Sequence, residues 1–337
     1  MASKKKSKPR GSTATKYDDY AQVYADRVIA ALQEGTAPWI RPWRAGVSRP
    51  PGEGMPYNAI TGKGYSGANA MMLLMMQGAN GYTDDRWLTF KQAADLGCHV
   101  RKGEKSTTCV KWIEAVDKEE DADPAQKKRM IPILFSVFNG NQIEGMPAAP
   151  VRQLPQEAER HAQCDGLLRE SGAIIRHDGG DRAFYSPHRD SIHLPPREAF
   201  KSTDNFYATA LHELGHWTGH KSRLDRDLTG AFGSESYAKE ELRAEMASMM
   251  IGERLGIGHD PGQHVAYIAS WIKILKEHPR EVLLAAKDAE AIAGHLGVAK
   301  FEHEPTKPLE KTAEIDSPPP ALIAKQKSRG RGVELAI

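Results

Sequence analysis

Apolar residues between positions 17 and 34 recur at spacings of three and four: Tyr20, Val23, Tyr24, Val28 and Leu32. That period predicts a helix with one buried face, and Gly35 supplies its stop. The next apolar block, Met71 to Met76, is continuous and predicts a core helix over residues 69–77. A short strand or helix entry follows at 86–90, then a helix to about Leu96. Residues 107–116 and 130–138 are rich in β-branched and aromatic side chains and predict two strands. The charged run 117–129 between them predicts a long solvated hairpin connection. Pro147, Pro150 and Pro155 mark a linker or extended connection. Beyond it the pattern predicts a helix over 156–171 and short strands at 173–176, 183–185 and 191–194. From 235 onward it is helical again, over 235–255, 265–277 and 280–296. No internal repeat is present, and the order of elements predicts an α+β fold.

Composition adds boundaries. The 337 residues are 40% apolar, enough for two domains of ordinary size, and the formal net charge of +2 selects no partner class. Charge distribution says more. Residues 1–16 carry six basic side chains and no acid, which predicts a disordered basic arm. Beyond Lys300 the chain turns polar and proline-rich, which predicts a disordered tail over 300–337. The expected domains are 17–150 and 151–299. Cys98, Cys109 and Cys164 form no C-x-x-C pair, which suits a reducing compartment. Neither an apolar run of 18 residues nor a signal-peptide pattern occurs, so the expectation is a cytoplasmic protein without a membrane partner.

The chemistry concentrates at His212-Glu213-Leu214-Gly215-His216. On a helix, His212 and His216 lie one turn apart on the same face, where two imidazoles can hold one Zn²⁺ or similar ion. Glu213 leans over the same point, placed to take a proton from an attacking water and return it to a leaving amine. This is the H-E-x-x-H pattern of zincin metallopeptidases. The alternative is a surface helix that happens to carry two histidines and a glutamate. A catalytic zinc needs a third protein ligand. The metzincin pattern would place a histidine where Ser222 stands, and His220 comes two residues too early. Glu240, Glu241 and Glu245 on the following helix are the other source, unless they form a solvated face with Arg243, a reading that suits Glu240 best. The run Glu241-Leu-Arg-Ala-Glu245 resembles the E-x-x-A-[D/E] signature of glutamate-zincins. That resemblance implies Glu241 as the third metal ligand and Glu245 as the residue orienting a ligand histidine. It also implies a peptide substrate held as an added strand along a sheet edge, for which 191–194 is the candidate.

A wider resemblance covers residues 17–296. Pro38-Trp39-Ile40-Arg41-Pro42-Trp43, Asn58-Ala59-Ile60-Thr61-Gly62-Lys63-Gly64-Tyr65, Trp87 to Ala93 and Val100 to Lys105 resemble the N-terminal domain of ArdC-type antirestriction proteins, a domain that also heads TraC-type plasmid primases. His212 to His220, Ser222-Arg223-Leu224-Asp225-Arg226 and Tyr237 to Glu245 resemble the zincin-like domain that follows in that family. The resemblance implies single-stranded DNA binding and protection of incoming plasmid DNA from restriction, beside an unknown peptide substrate. Primase activity is not among the expectations, because only a short tail follows residue 299. Binding a single strand requires cations along a groove and aromatic faces for stacking. The candidates are Trp39, Trp43, Tyr57, Tyr65 and Trp87, with Arg41, Arg44, Lys63, Arg101, Lys102 and Lys105. Core burial is the commoner fate of such tryptophans.

Overall fold

In the computed structural model, which describes residues 13–40, 48–49, 54–116, 128–259, 264–300 and 302–307, the first helical period is realised as α1, Thr13–Gln33. It begins inside the segment expected to be a disordered arm. Tyr20, Tyr24, Val28 and Leu32 are buried, while Val23 on the flank of the stripe stays exposed. β1 (Ser48–Arg49) and β2 (Tyr57–Asn58) precede α2, Gly67–Asn80. Gly81 closes α2 with a φ of 63° and backbone bonds to the Gln77 and Gly78 carbonyls. β3 (Arg86–Leu88), α3 (Phe90–Asp95) and β4 (His99–Val100) follow, with Thr89 and Gln92 forming a capping box on α3. The expected hairpin is β5 (Thr107–Val116) against β6 (Lys128–Asn139), antiparallel from Thr107↔Val137 to Val116↔Lys128. β7 (Ile143–Glu144) and β8 (Arg152–Gln153) complete the first half. The main sheet has the order β2-β3-β6-β5, and β1 pairs with β8 and β4 with β7.

The second half runs through α4 (Glu157–Glu170), β9 (Ile174–Arg176), β10 (Phe184–Ser186) and β11 (Ser191–His193) to α5 (Thr203–Trp217). Three further helices follow: α6 (Glu235–Leu255), α7 (Ile268–Glu277) and α8 (Glu281–His295). The small sheet has the order β10-β11-β9. This corrects the expectation that 191–194 is the edge. β11 is the central strand, buried at all three residues, and β10 is the edge that borders the cleft described below.

The largest core does not respect a boundary at residue 150. Tyr24 of α1 and Met71 of α2 share it with Met246, Trp271 and Val282 from the last three helices. α6 is buried over most of its length, with several of its carboxylates among the buried side chains, and lies at the centre. A second cluster, including Phe206, Leu214 and Trp217, joins α5 to β11 and α4. The chain after α8 also departs from the expected disordered tail. The His303 N–H donates to the Gly62 carbonyl at 2.9 Å, Thr306 N–H donates to the Ala59 carbonyl at 2.7 Å, and the His303 ring stacks on Tyr57 at 3.7 Å. Residues 302–307 thus lie along the turn between β2 and α2.

Candidate metal centre

Ser202 starts α5 by accepting a hydrogen bond from the Asn205 N–H. The helix carries His212 and Glu213, both buried, and half-buried His216 to the crossing with α6. Gly215 makes that crossing close: a Cβ there would lie 3.5 Å from the Ala244 Cα. α6 then delivers three buried carboxylates, Glu240, Glu241 and Glu245.

The inner donors converge. Nε2 of His212 and Nε2 of His216 are 3.1 Å apart. Glu241 reaches both, at 3.5 Å from His212 Nε2 and 3.4 Å from His216 Nε2. A tetrahedral ion with bonds of about 2.0–2.1 Å separates its ligands by about 3.4 Å, so this set fits a divalent ion of zinc size without rearrangement. Among the described residues, His212, His216 and Glu241 form the one group of three such donors placed to hold a metal.

Each ligand histidine is held from behind by its own carboxylate. His212 Nδ1 lies 3.1 Å from Glu245 Oε2, and His216 Nδ1 lies 3.1 Å from Glu240 Oε1. Such partners set which ring nitrogen is turned to a metal when one binds. Burial acts to lower the His212 pKa, but its hydrogen bonds with Glu241 and Glu245 outweigh burial and hold it well above the ordinary value. His216 follows the same balance: burial pulls down, Glu241 and Glu240 push up, and the result is about 9.

Arg226 and His259, behind the site, were given no role by sequence reading. Glu240 is not part of a solvated face. The loop after α5 brings Arg226 back to its carboxylate, and the same guanidinium donates to the Gly215 carbonyl at 2.7 Å and to Thr218 Oγ1 at 2.9 Å. Gly219 leaves room for it, since a Cβ there would meet Arg226 Nη2 at 2.9 Å. His259 lies 3.3 Å from Glu245 and donates to the Trp39 carbonyl at 2.8 Å, which links the first half of the chain to the ring around the metal ligands. No local signal marks either role, because each depends on a chain reversal.

The cleft over these donors has a volume of about 410 Å³ and is walled by Phe184 and Tyr185 of β10, Phe232, Tyr237 and Tyr267. Tyr237 lies within hydrogen-bonding reach of Glu241 and Tyr267, and burial pushes its ionisation far up, so the phenol keeps its proton.

The candidates for nucleic-acid contact fare differently. Trp39 and Trp87 are wholly buried and present no stacking face, which corrects that expectation. Trp39 fills the largest core, and Trp87 packs with Leu73, Cys109 and Val137. Tyr57 is also buried, beneath His303. Tyr65 is half-buried against Asn58, with burial pushing its pKa up to about 12. Lys63, Arg101, Lys102 and Lys105 are exposed, Arg101 paired with Glu104 at 2.7 Å. Arg41, Trp43 and Arg44 lie outside the described residues.

Residues 18–139 match the N-terminal domain of anti-restriction factor ArdC, and residues 162–288 match a zincin-like metallopeptidase family. A crystal structure of the antirestriction protein ArdC from plasmid R388, metal-free, is 36% identical with a TM-score of 0.67, covering 83% of this chain and 97% of its own. The chain belongs to the ArdC antirestriction family. A second structure of the R388 ArdC, covering 82% of this chain and 96% of its own at the same identity and TM-score, contains Mn(II). Protein y4eC of Sinorhizobium fredii is 35% identical over 286 residues, 83% of this chain and 91% of that protein. DNA primase TraC of Escherichia coli is 50% identical over 284 residues, but this ArdC-family chain spans only 26% of its length.

Proposed function

We propose that this ArdC-family protein is a zinc-type metallopeptidase joined to a single-stranded DNA-binding half, and that it acts in protecting incoming plasmid or mobile-element DNA from restriction. The observation that carries the peptidase reading is the donor set His212, His216 and Glu241, with each histidine backed by a separate carboxylate. Two imidazoles and one carboxylate are the ligand chemistry of catalytic zinc sites. When bound there, a divalent ion supplies Lewis-acid polarisation of a carbonyl and of water. Glu213, next to His212 and lining the same cleft, accepts the proton of the attacking water and passes it to the leaving amine. Tyr237 keeps its proton and donates to the oxygen that gains charge. The β10 edge receives the substrate as an added strand.

Glu213→Gln tests the reading because it keeps shape and removes the base. The variant should load metal and bind single-stranded DNA as wild type does, and lose peptide hydrolysis by about 10²–10⁴-fold. Unchanged hydrolysis overturns the catalytic role. Full DNA protection by the inactive variant assigns protection to strand coating alone, whereas loss of protection with DNA binding intact assigns it to proteolysis.

A further inference from the structure

Among the described residues, three of the large apolar side chains left in solvent converge on one place. Trp112 is 48% exposed, Met130 56% and Leu284 46%, and all three line a single cavity of about 870 Å³. Trp112 and Met130 come from the β5–β6 hairpin and Leu284 from α8, so the cavity bridges the two halves of the chain. Tyr17 and Trp112 meet in a T-shaped ring contact with centroids 5.2 Å apart, and both line the cavity.

The rim is basic. Lys111 and Lys287 are exposed and make no ion pair among the described residues. Arg280 sits over the Tyr17 ring and is paired with Asp18. Among the described residues, the one carboxylate on the lining, Glu290, is already occupied by Arg254, by Lys300 and by the Gly67 N–H. An apolar floor with an exposed indole, bordered by two unpaired lysines, complements a ligand with a flat unsaturated face and a negative charge.

We infer that this seam cavity holds an unpaired nucleotide of a single strand, its base on Trp112 and its phosphates between Lys111 and Lys287. The base must be unpaired, because a duplex hides its faces inside the stack. The site rests on the single-strand binding proposed above and gives it a location that neither Trp39 nor Trp87 can supply.

The test uses the full chain and a labelled oligo(dT) of about 12 nucleotides, read by fluorescence anisotropy. Trp112→Ala should weaken binding by about 5- to 150-fold, the worth of one base–aromatic stack, and Trp112→Phe should restore part of it. Lys111→Glu with Lys287→Glu should weaken binding and reduce the magnitude of the salt slope by roughly 1.4, since each lost single-strand phosphate contact removes about 0.7. Duplex DNA should bind more weakly and ignore Trp112→Ala. If oligo(dT) binds every variant as it binds wild type, the location is wrong and single-strand binding stands. If wild type binds no single strand, both fall. Thymidine monophosphate binding as tightly as the oligomer assigns the cavity to a free nucleotide and overturns the strand. A change of oligomeric state in Trp112→Ala without a change in DNA affinity makes the face a contact between copies, and likewise overturns it.

Discussion

Arg226 grips the Glu240 carboxylate with two N–H groups, Nε to Oε2 at 3.0 Å and Nη2 to Oε1 at 2.7 Å. Glu240 in turn faces His216 Nδ1, so the loop after α5 orients a candidate metal ligand through one intermediate. Glu240→Gln should lower metal affinity by about 10–100-fold while leaving the fold intact, as measured by calorimetric titration. Glu240→Ala should also destabilise by about 3–5 kcal/mol, because it strands the buried Arg226 charge. Wild-type affinity in Glu240→Gln would remove Glu240 from the positioning role.

The two acids one turn apart on α6 should separate cleanly. Glu241 faces the Nε2 atoms of both histidines, whereas Glu245 meets His212 at Nδ1, on the far side of that ring, and His259 with its other oxygen. Glu241→Ala and His216→Ala should lose most bound metal, while Glu245→Ala should bind it more weakly. Elemental analysis of the purified variants decides. Normal metal content in Glu241→Ala beside an empty Glu245→Ala would exchange their roles.

Metal-free protein should show a stability maximum with two different limbs. The folded-state pKa of His216 is raised, so its contribution is fully present below about 6.5 and is lost as pH rises through about 9. Glu240 goes the other way. Burial raises its pKa, but His216 and Arg226 outweigh burial and hold it below the ordinary carboxylate value. Its contribution is therefore present above about 4.5 and lost as pH falls. Loading the metal, which requires neutral imidazoles, should erase the alkaline limb. Thermal denaturation of chelated and loaded protein across pH reads both limbs, and a chelated protein equally stable at pH 6.5 and 9 refutes the first.

Trp87 should behave as core. Trp87→Ala removes a wholly buried side chain and should cost about 3–5 kcal/mol in denaturant unfolding. Oligo(dT) affinity of the folded variant should stay at the wild-type value. A folded variant with weakened affinity would restore Trp87 as a DNA contact.

Gly62 should be intolerant of any side chain. Its φ is +68°, and a Cβ would lie 1.8 Å from the His303 carbonyl oxygen. Gly62→Ala should release residues 302–307 from the turn at a cost above about 1 kcal/mol. Limited proteolysis should then cut near His303 faster than in wild type; equal rates would show that the turn can hold the segment without glycine.

Period and spacing alone were enough for most of the helices and for the two histidines of the candidate metal site. Apolar residues at three and four placed α1, and the four-residue step from His212 to His216 placed two candidate ligands on one face, because helix geometry is local and repeats. The same step from Glu241 to Glu245 put both acids on one side of α6, though their assignment came from resemblance. Tertiary structure decided everything that depends on chain reversal. Arg226 reaches Glu240 only because a loop turns back beneath α5, and His259 touches Trp39 across 220 positions. It also decided which aromatics are available. Trp87 and Trp112 both sit on strands, and nothing in their neighbours distinguishes them. The first faces the interior between α2 and the sheet, and the second stands at the seam where α8 leaves it uncovered. Burial is a property of what packs above a side chain, and that is set by the fold as a whole.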